Sequence, residues 1–532
     1  MSKIVFSKPM LRWNFGGVGF HNSEASMTPI MTEEFLNQRV LKSFNEISPT
    51  FTRIYAGYAD WTREAMDDFV DYYDKTFRKA NTTIYAVPGR MPMPTEDFDI
   101  EDYCERVATN LEYVVKERKC TKIRYYCVTN ELSCGNTYAY LAGNLELFKK
   151  LHERLFAAFN RHNLDIGLLA TDCSATEEFW QLEWAARNMD EVTDAYCSHL
   201  YVDARSPYDE SFYDYFYNAF ENPVRVAYKL QRRFILGEYG INAPHKWERS
   251  AVMGNDVCYA VDFPEAEGLY ALTLAEATAA AINVGCFATV FWTLFDYPDP
   301  IIREDGDTEE EKKLYQVARF SGHGLTFRYN KNGCIRWDDE EKDYTARASL
   351  YTMGWFAKLF KKNTRVLKSD WDDKLLRACG VTDKDGKVSL VIINREKCAK
   401  TIDITLEHKT DAPLRRYDYE VENIPYNDFG DLQKVSGLVD ASSGEFAIEV
   451  GPESVTFLTT DYVDREPSKI KNIVAETDLV SWSPCEDAEH VYYRVYKDGV
   501  QIASTVDEKI KSAGNGVYEV YSVDKFGNCL KK

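Results

Sequence analysis

The chain has 532 residues, of which 45% are hydrophobic and 28% are charged. This composition is typical of a globular protein long enough for two or three domains. Acidic residues outnumber basic ones, 85 against 64, and give a formal net charge of −21. Nucleic acids and anionic membranes bind basic surfaces, so this charge argues against both as partners.

The N-terminal segment MSKIVFSKPMLRW lacks the apolar core of a secretory signal. The sequence has no stretch of about 18 apolar residues, so it predicts no membrane-spanning helix. The 13 cysteines form no CxxC pair, which is typical of reduced thiols and not of a disulfide framework or a zinc site. We therefore expect a cytoplasmic protein that needs no metal and no cofactor.

Eight apolar segments alternate with helical segments over about the first 360 residues. The strand candidates are residues 11–18, 52–55, 83–87, 123–128, 166–170, 195–200, 234–236 and 288–292. Between them, apolar residues recur at i, i+3 and i+4, as in amphipathic helices. This alternation predicts a parallel sheet that is buried on both faces, and eight repeats favour a (β/α)8 barrel. A doubly wound sheet is the competing fold.

The sequence pattern changes after residue 362, from alternating strands and helices to strands alone. Short alternating strands are predicted at 376–381, 388–394, 401–406, 416–421, 446–450 and 455–460, with a hairpin turn at 383–387. We predict three domains: the barrel over 1–362, a β-sandwich over 363–463, and a small unit over 464–532 that resembles a fibronectin type III domain. A long insertion is predicted at 303–343, and its acidic run at 305–313 should be a solvated surface segment. A closing helix should follow at 344–360.

Two of the predicted barrel strands end in a glutamate. Residues 122–131, KIRYYCVTNE, end in Asn130 and Glu131, and residues 234–240, FILGEYG, carry Glu238. The catalytic groups of (β/α)8 barrels lie at the C-terminal ends of the strands. Strands 4 and 7 stand across the barrel mouth from each other, so these two carboxylates should face one another. Two facing carboxylates are the catalytic groups of glycoside hydrolysis: one acts as acid and base, and the other as nucleophile.

In this arrangement the barrel resembles the clan A of retaining (β/α)8 glycosidases. In that clan the acid/base follows an Asn at the end of strand 4, matching Asn130 and Glu131, and the nucleophile ends strand 7, matching Glu238. The resemblance implies that Asn130 binds the sugar 2-hydroxyl. Many clan families have Pro after the acid/base, whereas this chain has Leu132, so the family and the substrate stay open.

Four further positions resemble the same clan and are implied as substrate-binding residues. Arg53 ends strand 2, where the clan has an Arg near the nucleophile. His199 and Tyr201 follow strand 6, where the clan places a His or Tyr that bonds the nucleophile. Trp292 ends strand 8, where the clan has a Trp beneath the sugar. The resemblance covers about residues 10–462, because clan members also carry an appended β-sandwich.

Other polar and aromatic side chains follow the predicted strands and are weaker candidates for sugar contacts. They are His21, Asn22, Asp60, Trp61, Arg90 and Trp247. Two cysteines near the site, Cys127 and Cys134, are interpreted as packing residues because no His-based thiolate motif accompanies them.

The sequence thus predicts an enzyme with a carbohydrate substrate. An exo-acting β-glycosidase on short oligosaccharides is favoured, because a polymer would not enter a cell. An endo-acting glycanase of the same clan is the alternative. A non-catalytic carbohydrate-binding barrel is a third reading, and the presence of both carboxylates counts against it. The sequence leaves a homo-oligomer open.

Overall fold

The computed structural model describes residues 2–9, 14–22, 31–88, 98–132, 139–173, 179–203, 211–242, 267–300, 327–330, 333–337, 343–408 and 410–530. Within these ranges, eight parallel strands close into a barrel in chain order. They are β2 (Gly17–His21), β3 (Phe51–Tyr55), β4 (Thr83–Val87), β5 (Ile123–Cys127), β6 (Gly167–Cys173), β7 (Ala195–Asp203), β8 (Arg233–Asn242) and β9 (Ala288–Phe291). The predicted (β/α)8 barrel is confirmed. An open doubly wound sheet is excluded, because β9 pairs with β2.

The first barrel strand starts later than the apolar pattern predicts. Residues 11–13 of the predicted strand 11–18 lie outside the described residues. Phe15 pairs instead with Thr364, and the Gly16 N–H donates to the Phe287 carbonyl at 2.6 Å. The barrel strand itself runs on to His21. Hydrophobicity alone therefore placed this strand too early, because it ends in His21, a polar residue at the mouth.

Helices cover the outside of the barrel. The α-helices are Glu33–Phe35, Leu41–Ile47, Arg63–Thr76, Ile100–Glu112, Ala139–Ala142, Leu145–Arg161, Trp180–Asn188, Phe212–Lys229, Glu267–Val284 and Ala348–Leu359. Side-chain caps fix some of their starts: Thr62 accepts a bond from the Ala65 N–H, and Asn144 accepts one from the Leu147 N–H, each at 3.1 Å. The closing helix predicted at 344–360 is Ala348–Leu359. Most of the acidic insertion lies outside the described residues.

Nine strands beside the barrel form one continuous ladder in the order β17-β16-β19-β14-β13-β12-β1-β15-β18. Their apolar faces share one buried core. The strands are β1 (Ser2–Pro9), β12 (Arg365–Trp371), β13 (Leu376–Thr382), β14 (Val388–Asn394), β15 (Lys400–Leu406), β16 (Leu414–Glu420), β17 (Gly437–Val439), β18 (Glu445–Val450) and β19 (Ser454–Thr459).

The N-terminal strand β1 lies in this C-terminal ladder, although the sequence analysis grouped it with the barrel. It pairs antiparallel with β12 and parallel with β15. Ile4 and Phe6 alternate with more exposed residues and are fully buried in the core of the ladder. Burial of these two side chains explains the placement, because an alternating strand needs an apolar face to cover.

The C-terminal segment forms two three-stranded sheets around Trp482. The strands are β20 (Val474–Ala475), β21 (Leu479–Ser481), β22 (His490–Lys497), β23 (Val500–Thr505), β24 (Lys509–Lys511) and β25 (Tyr518–Asp524). The resemblance to a fibronectin type III domain stays a prediction. No helix among the described ranges is both long and apolar enough to span a bilayer.

A cluster of buried charges, here called the domain junction, joins the three parts of the chain. It comprises Lys42, Glu46, Asp431, Tyr492 and Arg494. Lys42 Nζ lies 2.7 Å from Asp431 Oδ1, and Arg494 Nε lies 2.8 Å from Asp431 Oδ2. The Tyr492 hydroxyl donates to Glu46 Oε1 at 3.2 Å. Asp431 therefore pairs with a cation from the barrel and a cation from the C-terminal unit at once. Glu46 supplies the second negative charge, with its Oε2 2.8 Å from Lys42 Nζ.

Candidate active site

The alternation of side chains along the barrel strands produces a polar layer above an apolar lumen. Every second residue of a barrel strand points inward. Phe51 and Cys197 belong to a buried apolar cluster inside the barrel. Two residues further along the same strands stand Arg53 and His199, both fully buried, and Tyr201 follows on β7 after another two. The strands thus deliver their polar residues at one level, at their C-terminal ends.

Glu238 is held from two sides on β8. Arg53 Nη1 donates to its Oε2 at 2.7 Å, and the Tyr201 hydroxyl donates to its Oε1 at 2.6 Å. The residue is 7% exposed. Burial raises the pKa of Glu238 above its ordinary value, while the charges of His199 and Arg53 oppose that rise. Both oxygens are therefore fixed in place by donors that favour the ionised form.

Glu131 enters the same space from the opposite side of the mouth. It follows the end of β5 with a left-handed backbone, φ 58°, a conformation that costs a non-glycine residue about 1–2 kcal/mol. Such strain is found preferentially at functional sites. His199 Nδ1 lies 3.1 Å from Glu131 Oε1, and the Glu131 side chain is 22% exposed. Carboxylate oxygens of Glu131 and Glu238 lie within 4.8 Å of each other.

Asp172, at the end of β6, connects the two cations of the site. Its Oδ1 lies 2.6 Å from His199 Nε2, and its Oδ2 accepts a bond from Arg53 Nη2 at 3.1 Å. Burial would raise the pKa of Asp172, but His199 and Arg53 outweigh burial and hold it below its ordinary value. Burial would likewise lower the pKa of His199, yet Asp172 and Glu238 raise it to about 10. His199 is therefore an imidazolium at neutral pH.

Aromatic rings and an amide complete the polar layer. Trp292 is 5% exposed, and its ring centroid lies 4.3 Å from that of His21 and 5.9 Å from that of Tyr55. The Asn130 Oδ1 accepts a hydrogen bond from Arg53 Nη2, which holds this amide beside the carboxylates. All seven residues that the sequence analysis named for the site thus lie together, and His21, one of the weaker candidates, joins them.

The other weaker candidates lie elsewhere. The side chain of Asn22 accepts a bond from the Tyr72 hydroxyl at 2.6 Å, and Tyr72 belongs to the helix Arg63–Thr76 outside the barrel. Trp61 packs on Phe69 of the same helix, and Asp60 is exposed at a turn.

Further predicted positions are only partly covered by the structure. Arg90, Trp247 and Cys134 lie outside the described residues. The Cys127 thiol is buried and donates to the Leu169 carbonyl at 3.3 Å, as a packing residue does.

Sequence reasoning missed Asp172 and Tyr55. The predicted fifth strand ended at residue 170, two positions before Asp172, whereas β6 continues through Cys173. The available signal was an aspartate directly after an apolar strand, the same signal that identified the two glutamates. Its weakness was the absence of a recognisable neighbour such as the Asn that precedes Glu131.

Three side chains of the site carry atoms of the kind that bind metal ions. Glu131, His199 and Glu238 bring one ligand atom each within 4.8 Å of the others. A protonated imidazole has no free lone pair for a metal, and the pKa of His199 is raised to about 10 by Asp172 and Glu238 against the effect of burial. Asp172 bonds His199 Nε2, so Nδ1 is the ring nitrogen that faces the two glutamates. A proton on Nδ1 therefore occupies the position from which this ring would bind a cation.

No family model and no curated protein matches the chain. Solved structures do match its fold. A glycoside hydrolase family 30 subfamily 8 xylanase from Clostridium acetobutylicum aligns with a TM-score of 0.55 at 13% identity, over 86% of this chain and 99% of the xylanase. An α-L-arabinofuranosidase from Thermotoga maritima aligns with a TM-score of 0.57 at 11% identity, over 86% and 100%.

An endo-β-1,6-glucanase aligns with a TM-score of 0.53 at 14% identity, over 86% of this chain and 94% of the glucanase. At these identities the likeness concerns the fold. The barrel with its appended β-sheets is therefore an architecture that this chain shares with glycoside hydrolases.

Proposed function

We propose that the protein is a retaining glycoside hydrolase, with Glu238 as nucleophile and Glu131 as acid and base. The observation that carries the proposal is the pair of carboxylates within 4.8 Å of each other at the barrel mouth. Retaining enzymes hold their carboxyl groups about 5–5.5 Å apart, and inverting enzymes need about 6.5–9.5 Å to admit a water. The separation in this protein supports direct attack on the sugar.

The surroundings of the two glutamates support the division of roles. Glu238 has a guanidinium and a phenol donating to it. These donors favour the charged form that a nucleophile requires, against the effect of burial on its pKa. Arg53 and His199 carry two positive charges, whereas Asp172, Glu238 and Glu131 carry three negative charges when all are ionised. One proton makes this cluster neutral. Asp172 and Glu238 each accept a bond from Arg53, so we assign the transferable proton to Glu131.

The chemistry then proceeds in two steps. Glu238 attacks the anomeric carbon while Glu131 gives its proton to the departing oxygen, and a glycosyl–enzyme ester forms. Glu131, now ionised, takes a proton from a water that attacks the same carbon and breaks the ester. Two inversions leave the configuration at the anomeric carbon unchanged.

We propose an exo-acting β-glycosidase on short oligosaccharides as the substrate class, with an endo-acting glycanase as the alternative. The solved structures with this fold include enzymes named as an arabinofuranosidase and as an endo-glucanase, so the fold accommodates both modes. Oligosaccharides labelled at the reducing end distinguish the two. Release of single unlabelled sugars supports the exo mode, and early labelled fragments of intermediate length support the endo mode.

The decisive experiment replaces the proposed nucleophile. A panel of aryl glycosides first identifies the sugar that the wild type accepts. Glu238→Ala should then abolish turnover, and azide should restore it by occupying the space of the missing carboxylate, giving a glycosyl azide of inverted configuration. Glu449→Ala, at an exposed position of β18, is the matched control and should behave as the wild type.

Two results would contradict the proposal. One is unimpaired hydrolysis by Glu238→Ala. The other is a first-formed wild-type product of inverted configuration, observed by proton NMR before mutarotation. A folded wild type that hydrolyses nothing in the panel would favour the non-catalytic binding barrel.

A further inference from the structure

His21 lies in the polar layer without a role in the two-step chemistry. It ends β2, in register with Arg53 on β3, and it is fully buried. Its ring centroid lies 4.5 Å from that of Tyr55 and 4.3 Å from that of Trp292. The Thr293 hydroxyl and the Leu294 N–H both donate to its carbonyl, so the backbone of His21 is fixed.

The neighbours of His21 determine where its proton is. His21 Nδ1 lies 3.4 Å from Arg53 Nη1, and a guanidinium can only donate. Nδ1 must therefore be the acceptor, and the ring proton belongs on Nε2. Burial lowers the pKa of His21 well below its ordinary value, and the charges of Arg53 and His199 lower it further, against the opposing effect of Asp172. His21 is a neutral ring that presents Nε2–H as a donor.

This donor has no acceptor among the residues that the structure describes. Leaving a buried donor unpaired is unfavourable, so native proteins pair nearly all such groups. The side-chain nitrogen of Asn22 is also unpaired, but its carbonyl oxygen bonds Tyr72 of the outer helix. His21 Nε2 is the unpaired donor that shares a ring cluster with Trp292, the proposed sugar platform.

We propose that His21 determines substrate specificity by donating its Nε2–H to one hydroxyl oxygen of the sugar that Glu238 attacks. This inference rests on the proposed glycosidase function. A site that hydrogen-bonds a substrate hydroxyl rejects the analogue that lacks it, because the buried protein group is then left unpaired. His21 therefore makes the enzyme selective for a sugar that carries that hydroxyl.

The test couples substitutions at His21 to the removal of single hydroxyl groups. His21→Phe keeps a ring between Tyr55 and Trp292 but has no donor. His21→Gln places an amide nitrogen near the position of Nε2. Each is assayed with the accepted aryl glycoside and with its monodeoxy analogues, and thermal unfolding shows that each variant is folded.

The wild type should reject one monodeoxy analogue by about 10- to 100-fold in kcat/KM, the range for an unpaired buried donor. His21→Phe should lose a similar factor on the parent glycoside and almost nothing further on that one analogue. With the other analogues it should lose as much as with the parent. His21→Gln should recover part of the selectivity for the same hydroxyl.

An equal loss by His21→Phe on the parent and on every analogue would overturn the inference. His21 would then act through Arg53 or through a buried water. Full activity of His21→Phe on the parent glycoside would overturn the inference as well. A folded wild type that is inactive on the whole panel would instead overturn the glycosidase function, and this inference with it, so the two failures are distinguishable.

Discussion

The charge of Asp172 is the sharpest point at which to perturb the site. Asp172→Asn keeps the size of the side chain and an oxygen that can accept the bond from His199, while it removes the negative charge between His199 and Arg53. Both cations are fully buried, so water does not replace the lost charge. We expect the imidazolium of His199 to lose most of its stabilisation.

Two independent magnitudes indicate the size of the effect. Unit charges 2.6 Å apart, the distance from Asp172 Oδ1 to His199 Nε2, attract each other by about 6 kcal/mol at an effective dielectric constant of about 20. At about 1.4 kcal/mol per pH unit, a pKa of about 10 in place of 6.5 corresponds to on the order of 5 kcal/mol. Both energies are slightly larger than the net cost of breaking a buried ion pair, which is about 3–5 kcal/mol. The pKa of His199 should therefore fall by at least about 2 pH units in the variant.

The sign of the pH dependence follows from the direction of the shift. A histidine whose pKa is raised by folding contributes stability that is complete below its unfolded pKa of 6.5 and is lost as the pH rises towards about 10. Wild-type stability should decline over this interval, and the part due to His199 should disappear in Asp172→Asn. In the assay, neutral His199 no longer opposes the raised pKa of Glu238. The acidic limb of kcat/KM should therefore move to higher pH.

The measurements are the pH profile of kcat/KM, thermal unfolding between pH 6 and pH 10, and an NMR titration with labelled histidine. At pH 7 we expect kcat/KM to fall by on the order of 100-fold, the scale of one positioned acid–base partner. Asp403→Asn, at an exposed position of β15, is the matched control. If Asp172→Asn retains both the wild-type profile and the titration of His199, the reasoning about this charge network is wrong.

Three further predictions concern single positions. Glu131→Ala should reduce kcat/KM by about 10²–10⁴ for poor leaving groups and far less for activated aryl glycosides; equal losses on both would argue against an acid/base role. Gly237→Ala should lower kcat in a folded protein, because the new Cβ would lie 3.1 Å from Asp172 Oδ1 and 3.4 Å from His199 Nε2; wild-type kcat would show that this pair tolerates displacement. Asp431→Asn should lower the free energy of unfolding at pH 7 by about 3–5 kcal/mol, because buried Arg494 loses its carboxylate partner and Lys42 keeps only Glu46. The charges of Lys42 and Arg494 outweigh burial and hold the pKa of Asp431 below its ordinary value, so the wild type should lose this contribution on acidification, and an unchanged midpoint for the variant at pH 7 would contradict the assignment.

The barrel could be predicted because its evidence is local. Each strand is a short apolar run and each helix an amphipathic stripe, so eight repeats can be recognised without long-range information. The placement of β1 could not be predicted in this way. Ile4 pairs opposite Trp371, and nothing near the N-terminus indicates a partner so distant along the chain. Local pattern likewise assigned the first barrel strand too early, since its last residue, His21, is polar.

The site was predictable where a polar residue stands within a short apolar run or at most two positions after it. Glu238, Arg53 and His199 satisfy this condition. Asn22 satisfies it too, but it is one residue beyond His21, and a single step along a strand turns the side chain to the opposite face. Asp172 was missed because a strand that continues past its apolar run has no end that the sequence marks.

The charge states of the site depend on neighbours across the lumen, not on position along the chain. The two cations come from strands two and six of the barrel, Arg53 and His199, and Asp172 bonds both. Glu238 faces the same two cations. A residue type and a strand end therefore predict which groups meet. The proton on each group, in contrast, is determined only when the closed barrel places strands five, six and seven across the lumen from strand two. This is why the identities of the two glutamates could be inferred early, while the imidazolium that lies between them required the three-dimensional arrangement.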